Sequence, residues 1–201
     1  LVELDRDALA RLQFLQQVGN TTARTHPAAV AVQGNLDGGV HADLTISRLG
    51  ADSYRVVTGG ADGNRDWVTM RNYRDDTGLE ADINIRTHDI STLGLWGPEA
   101  KNALGHFIDP SEISIDNFPF VTAKYLTLNL LGGKKIDVWA ARISYVGESG
   151  WELYLNNDSE DGLALYDSLL EVGVVPVGIE TYANSRRLEK SFRLQGADLE
   201  P

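Results

Sequence analysis

Arg142-Ile143-Ser144-Tyr145-Val146-Gly147-Glu148-Ser149-Gly150-Trp151-Glu152-Leu153-Tyr154 is the stretch on which the fold turns. Its first five residues are rich in β-branched and aromatic side chains, Gly147 to Gly150 carries turn chemistry, and Trp151, Leu153 and Leu155 alternate with Glu152, Tyr154 and Asn156. The pattern predicts a strand over Arg142–Val146, a tight turn, and a second strand. A period of two puts Trp151 and Leu153 on the core face and sends Glu152 to the other.

About 30 residues on comes Ser185-Arg186-Arg187-Leu188-Glu189-Lys190. Together the two stretches resemble the folate-binding module of the glycine-cleavage T-protein (aminomethyltransferase) family. The branch most similar in look is the C-terminal domain of dimethylglycine and sarcosine dehydrogenases, which reads R-x-S-Y-x-G-E-x-G-W-E-L-Y and then S-L-R-L-E-K. The resemblance implies tetrahydrofolate as cofactor and Glu152 as the residue that holds the pterin. A strand carboxylate suits that ring, whose 2-aminopyrimidinone edge offers two parallel N–H donors to an ionised acceptor. Tyr145 and Glu148 of the same motif, with His41, complete the cofactor-binding candidates. The resemblance also implies an α+β fold of two pseudo-repeated halves, mostly antiparallel sheet with packed helices.

The second chemical candidate is Asn35-Leu36-Asp37-Gly38-Gly39-Val40-His41-Ala42-Asp43-Leu44-Thr45-Ile46. It resembles the family's run of Asn, Gly-Gly and a catalytic aspartate just before a strand. Glycine-cleavage T-proteins carry two successive aspartates there and use the first; this chain has Ala42 at that position and keeps Asp43, as dimethylglycine- and sarcosine-type relatives do. Asp43 is therefore the catalytic candidate, a carboxylate able to stabilise an iminium or pterin cation and relay a proton. His41, two residues away on the same strand, is read as orienting it. Asp37, before Gly38-Gly39, reads as a turn residue. Two positions depart from the family pattern, with Val30 in place of a tyrosine and Ala183 in place of a folate-contacting arginine.

Length and composition set the outer bounds. A chain of 201 residues buries about 70% of its unfolded surface. Its net charge of −11 argues against nucleic acid, which draws on clustered Lys and Arg. No apolar run reaches the roughly 20 residues of a membrane span, and Leu1-Val2-Glu3-Leu4-Asp5 lacks the start of a signal peptide. A cytoplasmic location is expected, or the mitochondrial matrix in a eukaryote. With no cysteine, disulfides and thiolate chemistry are excluded, and no metal site is expected. Arg186, Arg187, Lys190 and Arg193 are the one dense basic cluster, at helical spacings; it serves either a folate's anionic tail or the charge balance of a helix face.

An internal echo aligns Leu1–Ala8 with Leu93–Ala100, each reading as a strand, a turn and a helix start. The helices follow as Ala8–Leu15 and Ala100–Phe107. One domain over 1–201 is expected, with halves of about 1–90 and 91–201. Between them, Val40–Arg48 and Tyr54–Thr58 read as a hairpin, Gly63–Tyr73 as a helix with Trp67 and Met70 inward, and Leu79–Thr87 as a strand. Leu126–Leu128 and Ile136–Val138 form a hairpin around Gly132-Gly133. Asp158–Gly173 is an amphipathic helix with Leu163, Leu165, Tyr166, Leu169 and Leu170 inward, and a last helix runs from Tyr182 to Leu194. Gly59–Asn64 reads as a plain loop, since it has no G-K-[ST] ending.

The leading functional expectation is a tetrahydrofolate-binding domain that accepts the one-carbon unit released by N-demethylation of a dimethylglycine- or sarcosine-type amine. The family's C-terminal barrel and any flavin fingerprint are absent from the 201 residues, so FAD would belong to a flavoprotein domain or subunit elsewhere. Glycine-cleavage aminomethyl transfer and a non-catalytic module are the alternatives; Ala42 speaks against the first, and Val30 and Ala183 for the second.

Overall fold

Period-two alternation builds the two sheets of this molecule. The computed structural model describes residues 2–5, 28–34, 39–50, 52–157 and 160–199, the first two stretches as backbone. In chain order the strands and helices are β1 (Val2–Asp5), β2 (Ala28–Gly34), β3 (Val40–Arg48), β4 (Ser53–Thr58), α1 (Gly63–Thr77), β5 (Ile83–Ile85), β6 (Ile90–Trp96), α2 (Ala100–Leu104), β7 (Ala123–Asn129), β8 (Lys135–Ala141), β9 (Gly150–Asn156) and α3 (Asp161–Glu171). A π-helical segment, Thr181–Arg186, runs into one short turn of helix, α4 (Arg187–Glu189). The fold is α+β, and among the described residues every pairing between these strands is antiparallel.

The chain divides into two compact units, residues 1–87 with 194–201, and residues 88–193. Their sheets share one topology. The first runs β2-β3-β4-β1-β5 and the second β7-β8-β9-β6, read from the β7 edge. In each, a lone strand pairs with the last strand of a three-strand meander, and a helix follows that last strand. β1 and β6, the strands of the sequence echo, hold the same place. The expected helix Ala8–Leu15 lies outside the described residues, as do Asn35–Gly38.

In the first unit, Ala42, Leu44 and Ile46 of β3 are buried with Tyr54 and Val56 of β4 and Met70 of α1. Trp67 packs at the margin of this core. Helix α1 runs one turn further than its apolar pattern predicts, because Gly78 supplies the left-handed stop (φ 67°) and Leu79 N–H closes on the Arg74 carbonyl. That exit takes residues 79–82 away from the strand expected at Leu79–Thr87, leaving three residues to pair with β1. Arg74 also holds the Ala81 carbonyl.

In the second unit, Leu95, Trp151, Leu153, Leu155, Ile136, Val138 and Ala140 present one face of the sheet to Leu104, Phe107, Leu165 and Leu169. The hairpin around Gly132 and Gly133 forms as the sequence predicts, both glycines taking positive φ. Helix α3 buries Leu165, Ser168 and Leu169, whereas Leu163 is 65% exposed and Tyr166 and Leu170 also reach outward. The apolar stripe is thus wider than the face that packs on β6 and β9.

The strand expected at Arg142–Val146 is not formed. Arg142 is buried, and its Nη1 donates to the carbonyls of Phe118 (2.7 Å), Ser114 (3.2 Å) and Ile113 (3.4 Å) while its guanidinium lies 5.1 Å from the Trp151 ring. Pairing between β8 and β9 stops at Ala141 and Glu152, since the Ser149 carbonyl turns to Gly97 N–H instead. The last helix is also shorter than expected. Ser191 adopts φ 59° and Phe192 N–H closes on the Arg187 carbonyl, so the helix ends at Glu189.

Candidate functional site

Glu152 sits at the middle of β9 and is half-buried, whereas Trp151, Leu153, Tyr154 and Leu155 around it are buried. Its face of the sheet is therefore not a solvated one, contrary to simple alternation: Tyr154 and Trp139 are covered on it as well. Directly across from Glu152 stand Gly94 on β6 and Ala141 on β8. Gly94 leaves room for the Trp96 indole, since a Cβ there would lie 2.1 Å from that ring. The indole thus lies over Gly94, beside the carboxylate. The Tyr154 hydroxyl donates to Glu152 Oε2. Burial pushes the Glu152 carboxyl above its ordinary value, and the Tyr154 hydrogen bond opposes that rise.

Around this strand the loop 142–149 and the segment 181–193 meet. The Tyr145 hydroxyl donates to the Arg193 carbonyl at 2.6 Å, and its ring stacks on Phe192 and tilts against Tyr182. Tyr182 in turn stacks on Trp96 at 5.1 Å. Trp96 Nε1 is fixed by the Ile143 carbonyl at 2.9 Å. Glu148 is ion-paired with Arg186, which also holds Glu189 at 2.8 Å. A cavity of about 650 Å³ opens at the β6 edge, lined by Trp96, Glu148, Tyr166, Tyr182 and Arg186 among others.

The expected basic cluster does not form one face. Arg186 is committed to Glu148 and Glu189. Arg187 is buried and donates to the Ala183 and Phe192 carbonyls, while its neighbour Leu188 is 54% exposed. The Lys190 stem lies where a Cβ on Gly147 would be.

Asp43 and His41 belong to the first unit. Val30 pairs across β2 and β3 with Thr45, and Val32 with Asp43. Gln33 pairs with Ala42 and Gly34 with Val40, so His41 is the extra residue of a β-bulge. From His41 to Ile46 burial still alternates, with Ala42, Leu44 and Ile46 covered, and among the described residues no hydrogen bond joins His41 to Asp43. The field of His41 is felt instead at Asp66, a buried carboxyl raised first by burial, pulled down by the hydrogen bonds and charge of Arg65, raised by Asp62, and lowered by His41. Asp43 is half-buried, and burial raises its carboxyl too. Ala42 faces the opposite way, into the core with Leu44 and Ile46.

Two residues at these places are missing from the sequence-derived set. Gln195 binds the β3 backbone beside Asp43, and nothing local in the sequence signals a partner so distant. Tyr154 was legible, since a strand residue two positions from Glu152 shares its face.

A four-stranded antiparallel unit with a shielded carboxylate, joined to a five-stranded unit of matching topology, defines the class; comparison with known proteins supplies the family. The chain belongs to the GCVT N-terminal domain family, whose sequence model matches residues 6–201. It is 35% identical to the mitochondrial dimethylglycine dehydrogenase of Homo sapiens over 166 residues, 81% of this chain and 18% of that protein. The Rattus norvegicus protein is likewise 35% identical over 168 residues. The chain thus spans about a fifth of the length of these relatives. Among solved structures, glycine cleavage system aminomethyltransferase T from Bartonella henselae matches 98% of this chain and 50% of its own, with TM-score 0.76 and 21% identity. Heterotetrameric sarcosine oxidase from Corynebacterium sp. U-96 matches 88% of this chain and 83% of its own at TM-score 0.52 and 18% identity. These two share the fold.

Proposed function

We propose that this chain is a tetrahydrofolate-binding domain that accepts the one-carbon unit from N-demethylation of a dimethylglycine- or sarcosine-type amine. The observation that carries the reading is Glu152: a shielded strand carboxylate, held by Tyr154 and flanked by the Trp96 indole, suits a flat heterocycle with a paired N–H edge. When bound, tetrahydrofolate supplies a nucleophilic nitrogen for an iminium carbon. In the second unit Glu152 binds and orients the ring, and Tyr145 and Tyr182 close the aromatic wall; the role of stabilising positive charge and taking the proton is assigned to Asp43 of the first unit from its place in the sequence motif. Glu148 acts here through Arg186 rather than as a free ligand.

Ala42 favours this reading over aminomethyl transfer, because alanine offers no carboxylate where the T-protein pattern has the aspartate it uses. The dimethylglycine dehydrogenase relatives support it further, with FAD on a flavoprotein partner. A non-catalytic module is the second reading, favoured by Ala183, whose side chain offers no donor where the T-protein pattern has arginine.

Titration with tetrahydrofolate, followed by quenching of the four tryptophans, tests the proposal. Saturable quenching that weakens in Glu152→Gln is expected. Absence of any saturable signal in the wild-type chain overturns the reading in favour of the non-catalytic one.

A further inference from the structure

We propose that Tyr154 is a positioning residue that holds Glu152 by one oxygen and fixes the plane of both, so that this hydroxyl extends ligand binding to lower pH than burial alone would allow. The inference rests on the folate reading for its ligand, but its core concerns Glu152 alone.

The geometry is local and complete. Tyr154 is two residues along β9, on the same face, and is 4% exposed, so its ring is held by packing. Its O–H donates to Oε2 of Glu152. A carboxylate has about four lone-pair sites. One of those on Oε2 is occupied, which leaves Oε1 and the remaining lone pair of Oε2 to face a paired N–H edge in a fixed plane. A protonated Glu152 accepts less well and competes as a donor, so the phenol favours the ionised form.

Among the described residues, little else near Glu152 performs this task. From β6 it is faced by Thr92, Gly94 and Trp96, and from β8 by Trp139 and Ala141, none of them an acid or base at physiological pH. On the adjoining loop and π-helical segment lie the phenols of Tyr145 and Tyr182, and Glu148 ion-paired with Arg186, which Glu189 shares. Burial and the Tyr154 hydroxyl are the influences that set the Glu152 carboxyl, and they act in opposite directions. Removing the hydroxyl leaves burial unopposed.

The test uses the 201-residue chain, its Tyr154→Phe variant, and carboxyl-¹³C glutamate labelling, with the Glu152 resonance assigned by its loss in Glu152→Gln. NMR titration is expected to show the Glu152 midpoint at higher pH in Tyr154→Phe than in wild type. Calorimetry with tetrahydrofolate over a pH range that brackets the two measured midpoints is expected to show weaker binding in Tyr154→Phe than in wild type on the acid side and convergence of the two on the alkaline side. Should Tyr154→Phe fail to fold, 3-fluorotyrosine at position 154, a stronger donor of the same shape, must move the midpoint the opposite way. An unmoved midpoint overturns the proposal. A moved midpoint in a chain that binds no folate upholds the Tyr154 lock and refutes the function proposed above.

Discussion

The side-chain amide of Gln195 stands in for a strand beside Asp43. Gln195 Oε1 accepts the Asp43 N–H at 3.1 Å, and Nε2 donates to the carbonyls of His41 and, at 3.4 Å, Val40. Pairing between β3 and β4 has ended one residue away, at Leu44 and Thr58. The amide therefore satisfies the polar backbone that the ladder leaves open, next to the bulge at His41. Asp43 thus owes its fixed backbone to a residue 152 positions away.

Gln195→Ala leaves those groups without their partner at a part-buried site. A loss of about 1–2 kcal/mol is expected, read as a melting temperature lower by about 2–8 °C. Gln195→Glu retains the acceptor but not the donor, and it should recover less than half of the loss. Equal melting temperatures for wild type and Gln195→Ala would show that the amide contributes nothing to holding β3.

Glu152→Gln is expected to separate binding from stability. Loss of one acceptor oxygen costs about 1.5–3 kcal/mol in folate affinity, since an NH₂ group then faces a donor. Stability moves the other way. The carboxyl is raised in the folded state by burial, so its contribution is fully present below the unfolded value and is lost as pH rises through the folded one. The glutamine variant should melt at or above the wild-type temperature at neutral pH, with the gap closing on acidification; a lower melting temperature at neutral pH contradicts this account.

The meanders were legible in the sequence because each of their strands shows its core face by alternation, as Leu126, Leu128, Ile136 and Val138 do. The Glu152 strand was legible for the same reason. The loop at 142–149 was not, because Arg142 reads locally like a strand residue and its three carbonyl partners lie 24–29 positions away. The same holds for the last helix, whose composition is helical to Leu194 but whose path is broken by a left-handed Ser191. Gln195 is the extreme case, a side chain doing a strand's work with no pattern to mark it.

Gly94→Ala tests the wall beside Glu152. The new Cβ would collide with the Trp96 indole, a flexible enough obstacle to swing away at the loss of its bond to the Ile143 carbonyl and its stacking on Tyr182. A folded protein with altered tryptophan emission and weaker folate binding is expected. Gly150→Ala should be worse, because its Cβ would lie 2.0 Å from the backbone oxygen of Leu95, and a strand carbonyl has nowhere to go. Thermal melts that rank Gly150→Ala as the milder change would show that this edge of the sheet yields.

Arg187→Ala should act on stability ahead of binding. Arg187 is 4% exposed and joins the Ala183 and Phe192 carbonyls across the end of α4. Removing it opens a buried space and strands those acceptors, at about 2–4 kcal/mol. Melting temperature is expected to fall by more than folate affinity, both compared in kcal/mol. The reverse ranking would place the guanidinium at the ligand.

Asp43→Asn tests the chemistry itself. Asp43 is rigidly placed, through β3 and Gln195, and its carboxyl lies above the ordinary aspartate range because of burial. If that carboxylate takes the proton, the transfer rate falls as the solution is acidified through its raised value, and this acid limb disappears in the asparagine variant. A methylated glycine oxidised by a flavoprotein dehydrogenase, in the presence of this chain and tetrahydrofolate, provides the assay. Folate affinity should be preserved, while formation of methylene-tetrahydrofolate slows by about 10²-fold or more, since a neutral amide neither stabilises the cation nor accepts the proton. Amine oxidation should continue and release free formaldehyde. Methylene-tetrahydrofolate made at the wild-type rate by Asp43→Asn would remove Asp43 from the chemistry and leave it as a strand residue held in place by Gln195.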